Sequence, residues 1–130
     1  MLLVTNQYDG QSRRVRKITP QATTTYFYDG WNLVEERIAY TDGSCSTIKY
    51  YWGKDLSGTL QGAGGIGGLL VVAKSGRFYT PTYDANGNIT ECVDVGGNVV
   101  AQYKYSAFGE IISQSGESFT HRFSTKPYFQ

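Results

Sequence analysis

Gly62, Gly64 and Gly67 stand in "LQGAGGIGGLL" at the spacing G-x-G-x-x-G. At that spacing a backbone loop can cradle a dinucleotide pyrophosphate. The chemistry needs a strand before the loop, a helix opening at the third glycine, and an acid about 20 residues further on. Asp84 does follow Gly62 by 22 residues. Between them, however, "LLVVAKSGRFYTPTYD" reads as two strands broken at Ser75-Gly76, with Pro81 following, and leaves no room for a helix. Without a helix N-terminus there is no dipole and no set of free amides for a phosphate. The P-loop alternative fails because no Gly-Lys-Ser/Thr follows. No cofactor is expected, and the glycines read as a bulged corner or a close backbone crossing.

The other chemistry-bearing residues give equally little. Asp84-x-Asn86-x-Asn88 begins like a calcium loop, but Ile89 fills the position that needs glycine and Val95 the position that needs glutamate, so a hairpin turn is expected. His121 is the only histidine, which rules out a histidine metal cluster within one chain and suggests a surface or capping role. A Ser-His-Asp triad lacks its Gly-x-Ser-x-Gly elbow. Glu35 and Glu36 are adjacent and point to opposite faces of a strand, so they cannot flank one glycosidic bond. Cys45 and Cys92 have no metal-ligand spacing, and spacing alone leaves a disulfide open. Asn88-Ile89-Thr90 is a glycosylation sequon at a turn–strand junction. The expectation is a chain with no catalytic, cofactor or metal residues, and not an enzyme.

Composition narrows the fold. The 12 basic and 11 acidic residues nearly cancel, and the only basic run, "RRVRK", alternates around Val15 as a solvated strand face would. No nucleic-acid partner is expected from that balance. The longest apolar stretch, "LLVVA", cannot span a bilayer, and "MLLVT" lacks the charged region and cleavage site of a signal peptide. Eleven Tyr, six Phe and two Trp beside 16 Gly suit pleated, half-buried strands joined by tight turns.

The elements follow from the punctuation. Turn signals at "YDG" (8–10 and 28–30), "TDG" (41–43), "SG" (75–76), "ANGN" (85–88) and "VGGN" (95–98) separate short alternating runs. Val99, Ala101, Tyr103 and Tyr105 share one face against Gln102 and Lys104; Val34, Ile38 and Tyr40 share a face against Glu35, Arg37 and Ala39. No window carries a convincing helical period. The reading is one all-β domain over residues 1–130, built of antiparallel hairpins in a curved, twisted sheet, with little or no helix.

The hairpins repeat. Tyr8-Asp9 and Tyr28-Asp29 lie 20 residues apart, and Tyr83-Asp84 and the degenerate Tyr105-Ser106 lie 22 apart. A period near 20 describes one unit of two strands and two turns. In this reading each tyrosine ends a strand and packs on the neighbouring unit, each aspartate starts a turn, and Gly87, Gly97 and Gly109 supply permissive backbone.

Tyr83-Asp84-Ala85-Asn86-Gly87-Asn88-Ile89 resembles the Tyr-Asp-x-x-Gly-Asn-Ile signature of the Rhs/YD-repeat family. Tyr8 to Val15 looks like a second copy with Ser12 in the glycine position, and Tyr105 to Ile111 a third that keeps Tyr105 and Gly109. "YFYDGWNLVEE", "YYWGKDLSGTLQGAGGIGGLL" and "HRFSTK" are similar to the stretch leading into the Rhs core. The resemblance implies a spiralling β-shell that encloses a polypeptide in bacterial polymorphic toxins, insecticidal toxin complexes and teneurins. Its self-cleavage motif, an Asp-Pro-x-x-Gly-Leu type, has no counterpart here, so neither autoproteolysis nor toxicity carries over to any residue. The expectation is a shell segment, or a short stand-alone relative, secreted or at the cell surface as part of a larger protein. Its partners would be other YD repeats or a polypeptide cargo, and its open edges invite self-association or a sheet curled onto itself. The alternative is an extracellular carbohydrate- or protein-binding adhesion module, with Trp31, Trp52 and the tyrosines as stacking surfaces, although inward packing suits their strand-end positions better.

Overall fold

Period-two alternation broken by glycine turns gives strands and nothing else. The computed structural model describes residues 4–11, 13–63, 65–106, 111–117, 119–122 and 125, with Ile112 described by its backbone alone. Ten strands run β1 Thr5–Tyr8, β2 Arg14–Ile18, β3 Ala22–Asp29, β4 Asn32–Tyr40, β5 Cys45–Trp52, β6 Leu69–Lys74, β7 Arg77–Tyr83, β8 Ile89–Asp94, β9 Val99–Tyr105 and β10 Ile111–Gly116. They form one open sheet in chain order, each strand antiparallel to the next. No α-helix occurs among the described residues, and the all-β expectation is met.

Aspartate carboxylates shape the turns. Asp84 Oδ1 accepts the amides of Asn86 (2.9 Å) and Asn88 (3.1 Å), and Asp94 Oδ1 accepts those of Gly96 and Asn98 (2.9 Å each). Asp9 does the same with Gln11 and Arg13. In the Asp84 and Asp94 turns the fourth residue is a glycine whose N–H closes back on the aspartate carbonyl. Gly87 has φ +78°, and a Cβ there would collide with Ile66, so the position admits no side chain. Asp29 differs: Asp29 pairs directly with Asn32 across a two-residue turn, and its carboxylate makes no such bond among the described residues.

Bulges set which side chains point inward. Where Tyr28 pairs with Leu33 and Phe27 with Glu35, Val34 is the extra residue. The slip puts Leu33 and Glu36 on the packed face, both buried, and corrects the grouping of Val34 with Ile38. In β9 the alternation holds, with Ala101 and Tyr103 buried, but Val99 is exposed at the strand's start. The core is this one face: Tyr26, Leu33, Tyr50, Leu69, Val72, Tyr79, Ile89, Cys92, Ala101 and Tyr103, covered by Phe119.

The bulges recur at Tyr8, Tyr28, Trp52 and Tyr83, each facing the first or second residue of the following strand, and Tyr105 faces Ile111 in the same way. Each aromatic group then reaches back one hairpin. Tyr28 Oη donates to the Arg14 carbonyl (2.7 Å), Trp52 Nε1 to Leu33 (2.8 Å), Tyr83 Oη to Leu69 (2.5 Å) and Tyr105 Oη to Ile89 (2.6 Å). Each acceptor is the residue that faces the preceding aromatic, so the four bonds form a ladder through five hairpins. Burial pushes the Tyr28 hydroxyl up to about 12 and raises Tyr83 and Tyr105 further, so all three remain protonated donors.

Removing a rung strands a carbonyl next to the core. Trp52→Phe and Tyr83→Phe should each lower the unfolding free energy by about 1–3 kcal/mol in urea titrations. Unchanged midpoints in both variants would show that the rungs are incidental.

Candidate functional site

Hairpin turns of odd-numbered strands gather at one end of the sheet, and the glycine-rich stretch is the third of them, enlarged. Residues 53–68 join β5 to β6, closed at the base by Gly53 N–H on the Gly68 carbonyl (2.7 Å). Within it Asp55-Leu56-Ser57-Gly58 forms the same turn as Asp84 to Gly87, with Gly58 N–H on the Asp55 carbonyl. The Asp55 carboxylate, almost wholly covered, accepts Ser57 N and Oγ, Ala63 N (2.7 Å) and Gly65 N (3.0 Å). Gly67 N–H is taken by Thr125 Oγ1 (2.7 Å). The anion held by this glycine loop is therefore a carboxylate of the chain itself, led by the Ser57 hydroxyl, which holds Asp55 down to about 2. Gly64 lies outside the described residues.

Contacts between turns tie this end together. Gln61 accepts from Trp31 N–H and donates to the Asp29 carbonyl (3.0 Å), while Leu56 and Ile66 close around Gly87. Arg13 pairs with Asp9 (2.7 Å), lies 5.1 Å over the Tyr28 ring and donates to the Gly30 carbonyl. Trp31 is 58% exposed at its turn, whereas Trp52 packs inward, so the expectation of inward packing holds for one of the two.

A strap crosses the packed face. After β10 the chain turns back, and Phe119 packs edge-on against Tyr79 at 5.1 Å while its N–H reaches Tyr103 Oη (3.1 Å). Thr120 Oγ1 donates to Glu36 Oε2 (2.8 Å), which Tyr50 Oη also reaches. The His121 ring is 2% exposed, edge-on to Tyr50 at 4.5 Å and to Trp52 at 5.3 Å, which corrects its expected surface role. Arg122 stacks 4.7 Å over Tyr103 and bonds Gln114, and its carbonyl takes Ile89 N–H (3.1 Å). Thr125 Oγ1 closes the strap on the Gly87 carbonyl (2.7 Å). Burial, then the charge of Glu36, holds the Tyr50 phenol well above its ordinary value; Tyr26 rises for the same reasons, partly offset by Arg14.

Among the sequence-predicted residues, Tyr28, Tyr83 and Tyr105 make ladder bonds, and Tyr8 sits at the first bulge. Asp9 and Asp84 hold turns. Asn88 is buried with its amide on Asp84 Oδ2 (2.9 Å), which withdraws the sequon nitrogen from solvent. Gly109 lies outside the described residues, as do 107, 108 and 110. Cys45 is exposed and Cys92 buried, both as free thiols, with burial pushing Cys92 up to about 12. Asp55, Thr120 and Thr125 escaped the sequence reading, as did the ladder bond of Trp52 and the place of Glu36 under the strap. The repeated Asp-x-x-Gly spacing at Asp55, Asp84 and Asp94 was the signal available for Asp55, and for Trp52 just before it.

No family model matches the chain. It is similar to the tRNA3(Ser)-specific nuclease WapA of Bacillus spizizenii, 31% identical over 106 residues, and to the tRNA nuclease WapA of Bacillus subtilis, 33% identical over 106 residues. Each match takes in 81% of this chain and 4% of the relative, so the chain spans a small part of either protein. Both relatives are named as enzymes, and this overturns the expectation that the chain is not one.

Two measurements test the site. Thr120→Val should raise amide exchange in residues 119–122 roughly tenfold and leave β6 to β8 protected, because only the Glu36 bond is lost. Equal loss in strap and sheet would refute a separately held strap. Asp55 is depressed from 3.8 to about 2, so its contribution is complete above pH 3.8 and is lost as pH falls through about 2. The Ala63 and Gly65 amide shifts should titrate with a midpoint near the lower value; a midpoint at 3.8 would contradict the enclosed carboxylate.

Proposed function

We propose that the chain is a wall segment of the Rhs/YD-repeat kind within a larger nuclease-type protein, scaffolding polypeptide on its packed face. The observation that carries this reading is the pairing of the ladder with the strap. A sheet whose hairpins each lock to the one before is extendable in units, and one face of it holds a stretch of polypeptide that belongs to none of the strands. That stretch holds the sheet through its own Phe119 N–H, Thr120 hydroxyl, His121 imidazole and Arg122 guanidinium, set against Glu36 and the rings of Tyr50 and Tyr103. The recurrent Tyr-Asp turns and the matching stretch of two tRNA nucleases support the same assignment. The setting we propose is bacterial, in a secreted or cell-surface toxin whose action on tRNA belongs to the whole protein, as the relatives' names suggest.

A chimera tests it. In the Bacillus subtilis relative, the matching stretch is replaced by this chain, and tRNA cleavage and protease resistance are measured. A wall segment predicts that cleavage is retained and that adding Trp52→Phe lowers protease resistance first. A chimera that stays protease-resistant but no longer cleaves tRNA would refute it.

A further inference from the structure

The packed face of β2 to β6 carries positive charge that its own acids do not answer. Directly paired residues of neighbouring strands share a face of the sheet, so rows can be followed outward from buried Tyr26 and Glu36. One row runs Tyr26, Glu36, Ile48 and Lys74. The next runs Lys17, Thr24, Ile38 and Ser46, all half-buried, as Ile48 and Lys74 are. Arg14 adds a third cation where it bonds the Tyr26 phenol. Glu36 is the one acid in these rows, and its Oε2 already accepts from Tyr50 and Thr120. Lys17 forms no ion pair among the described residues, and the Lys74 ammonium lies 4.9 Å over the Phe119 ring, at the margin of the strap. The opposite face differs: there Glu35 stands across from Lys49 and pairs with Arg37. Half-buried cations are poorly screened, and a carboxylate brought among them is strongly favoured.

We propose that the packed face between Lys17 and Lys74 takes an acidic stretch of polypeptide, laid beside the strap. This rests on the wall reading and names the chemistry of what the wall holds. From β2 to β6 is four strand spacings, about 19 Å, which about six extended residues span. Carboxylates toward the two ends of such a stretch meet Lys17 and Lys74, and apolar side chains between them cover Ile38 and Ile48. Polypeptide suits this floor better than nucleic acid does, because isoleucines lie between the cations and the strap already seats polypeptide on the same row.

The probe is a short fluorescent peptide alternating glutamate with valine, titrated into the whole chain at low salt and read by anisotropy. Its glutamine counterpart and an oligo-uridine RNA of equal length run beside it. The glutamate peptide should bind and weaken as salt rises, and the glutamine peptide should bind about tenfold less tightly or worse. Lys17→Gln and Lys74→Gln should each weaken binding roughly threefold to tenfold, whereas Lys49→Gln, on the opposite face, should leave it unchanged. Each variant is checked for an unchanged melting midpoint. Should Lys74→Gln loosen the strap, Lys17→Gln carries the test, since Lys17 has no ion pair to lose among the described residues. No binding at the highest soluble concentration would overturn the proposal, as would equal binding of the glutamine peptide or undiminished binding by Lys17→Gln. RNA bound more tightly than the peptide would overturn it too, and would give the face to nucleic acid. The chimera reports the wall role by cleavage and the probe reports this face by binding, so either can fail alone.

Discussion

One hydrogen bond, repeated, organises the molecule: an aromatic N–H or O–H at a strand-end bulge donating to a backbone carbonyl one hairpin earlier. A bulge removes a pairing and leaves a carbonyl short of its ladder partner. Beside a core such a group costs free energy unless something else donates to it. The ring fills the gap and packs against the preceding unit, so one residue meets both the polar and the apolar demand. A hairpin by itself is marginal, and this contact lets five of them stand as a sheet with no second sheet above it among the described residues.

What lies above the sheet is a strap of a few residues. It works because the packed face is polar at one place, where Glu36 receives Thr120 and Tyr50, and aromatic around it. A buried carboxylate has to be met by donors, and the strap supplies one of them from 84 residues away. That dependence separates two layers of stability. The ladder holds hairpin to hairpin, and the Glu36 cluster holds the strap to the sheet. The glycine loop joins them at the turn end, through Gly67 to Thr125 and through Ile66 to Gly87.

Strand identity was legible from the sequence because alternation and turn chemistry are local. The Tyr-Asp spacing pointed to Tyr28, Tyr83 and Tyr105 for the same reason. Trp52 was expected to pack inward, but its place in the ladder was missed because the third hairpin carries a loop of residues 53–68 in place of a short turn, which breaks the 20-residue count. Val34 was misplaced because a bulge shifts the inward face by one residue and leaves the letters unchanged. The grouping of Glu36, Thr120 and His121 was invisible for another reason: it depends on the chain returning across the sheet, which no short window encodes. The nucleotide-like glycines show the converse, a local pattern whose meaning is decided by Asp55 nearby.

The two tryptophans allow the ladder to be measured directly. Trp52 donates its indole N–H to the Leu33 carbonyl beside the core, and Trp31 stands exposed on a turn. In deuterium exchange followed by NMR, the Trp52 indole proton should persist as long as the amides of β5 and β6, while that of Trp31 is lost at the first time point. Loss of both indole protons together, with the strand amides still protected, would contradict the ladder as the interaction that joins the hairpins.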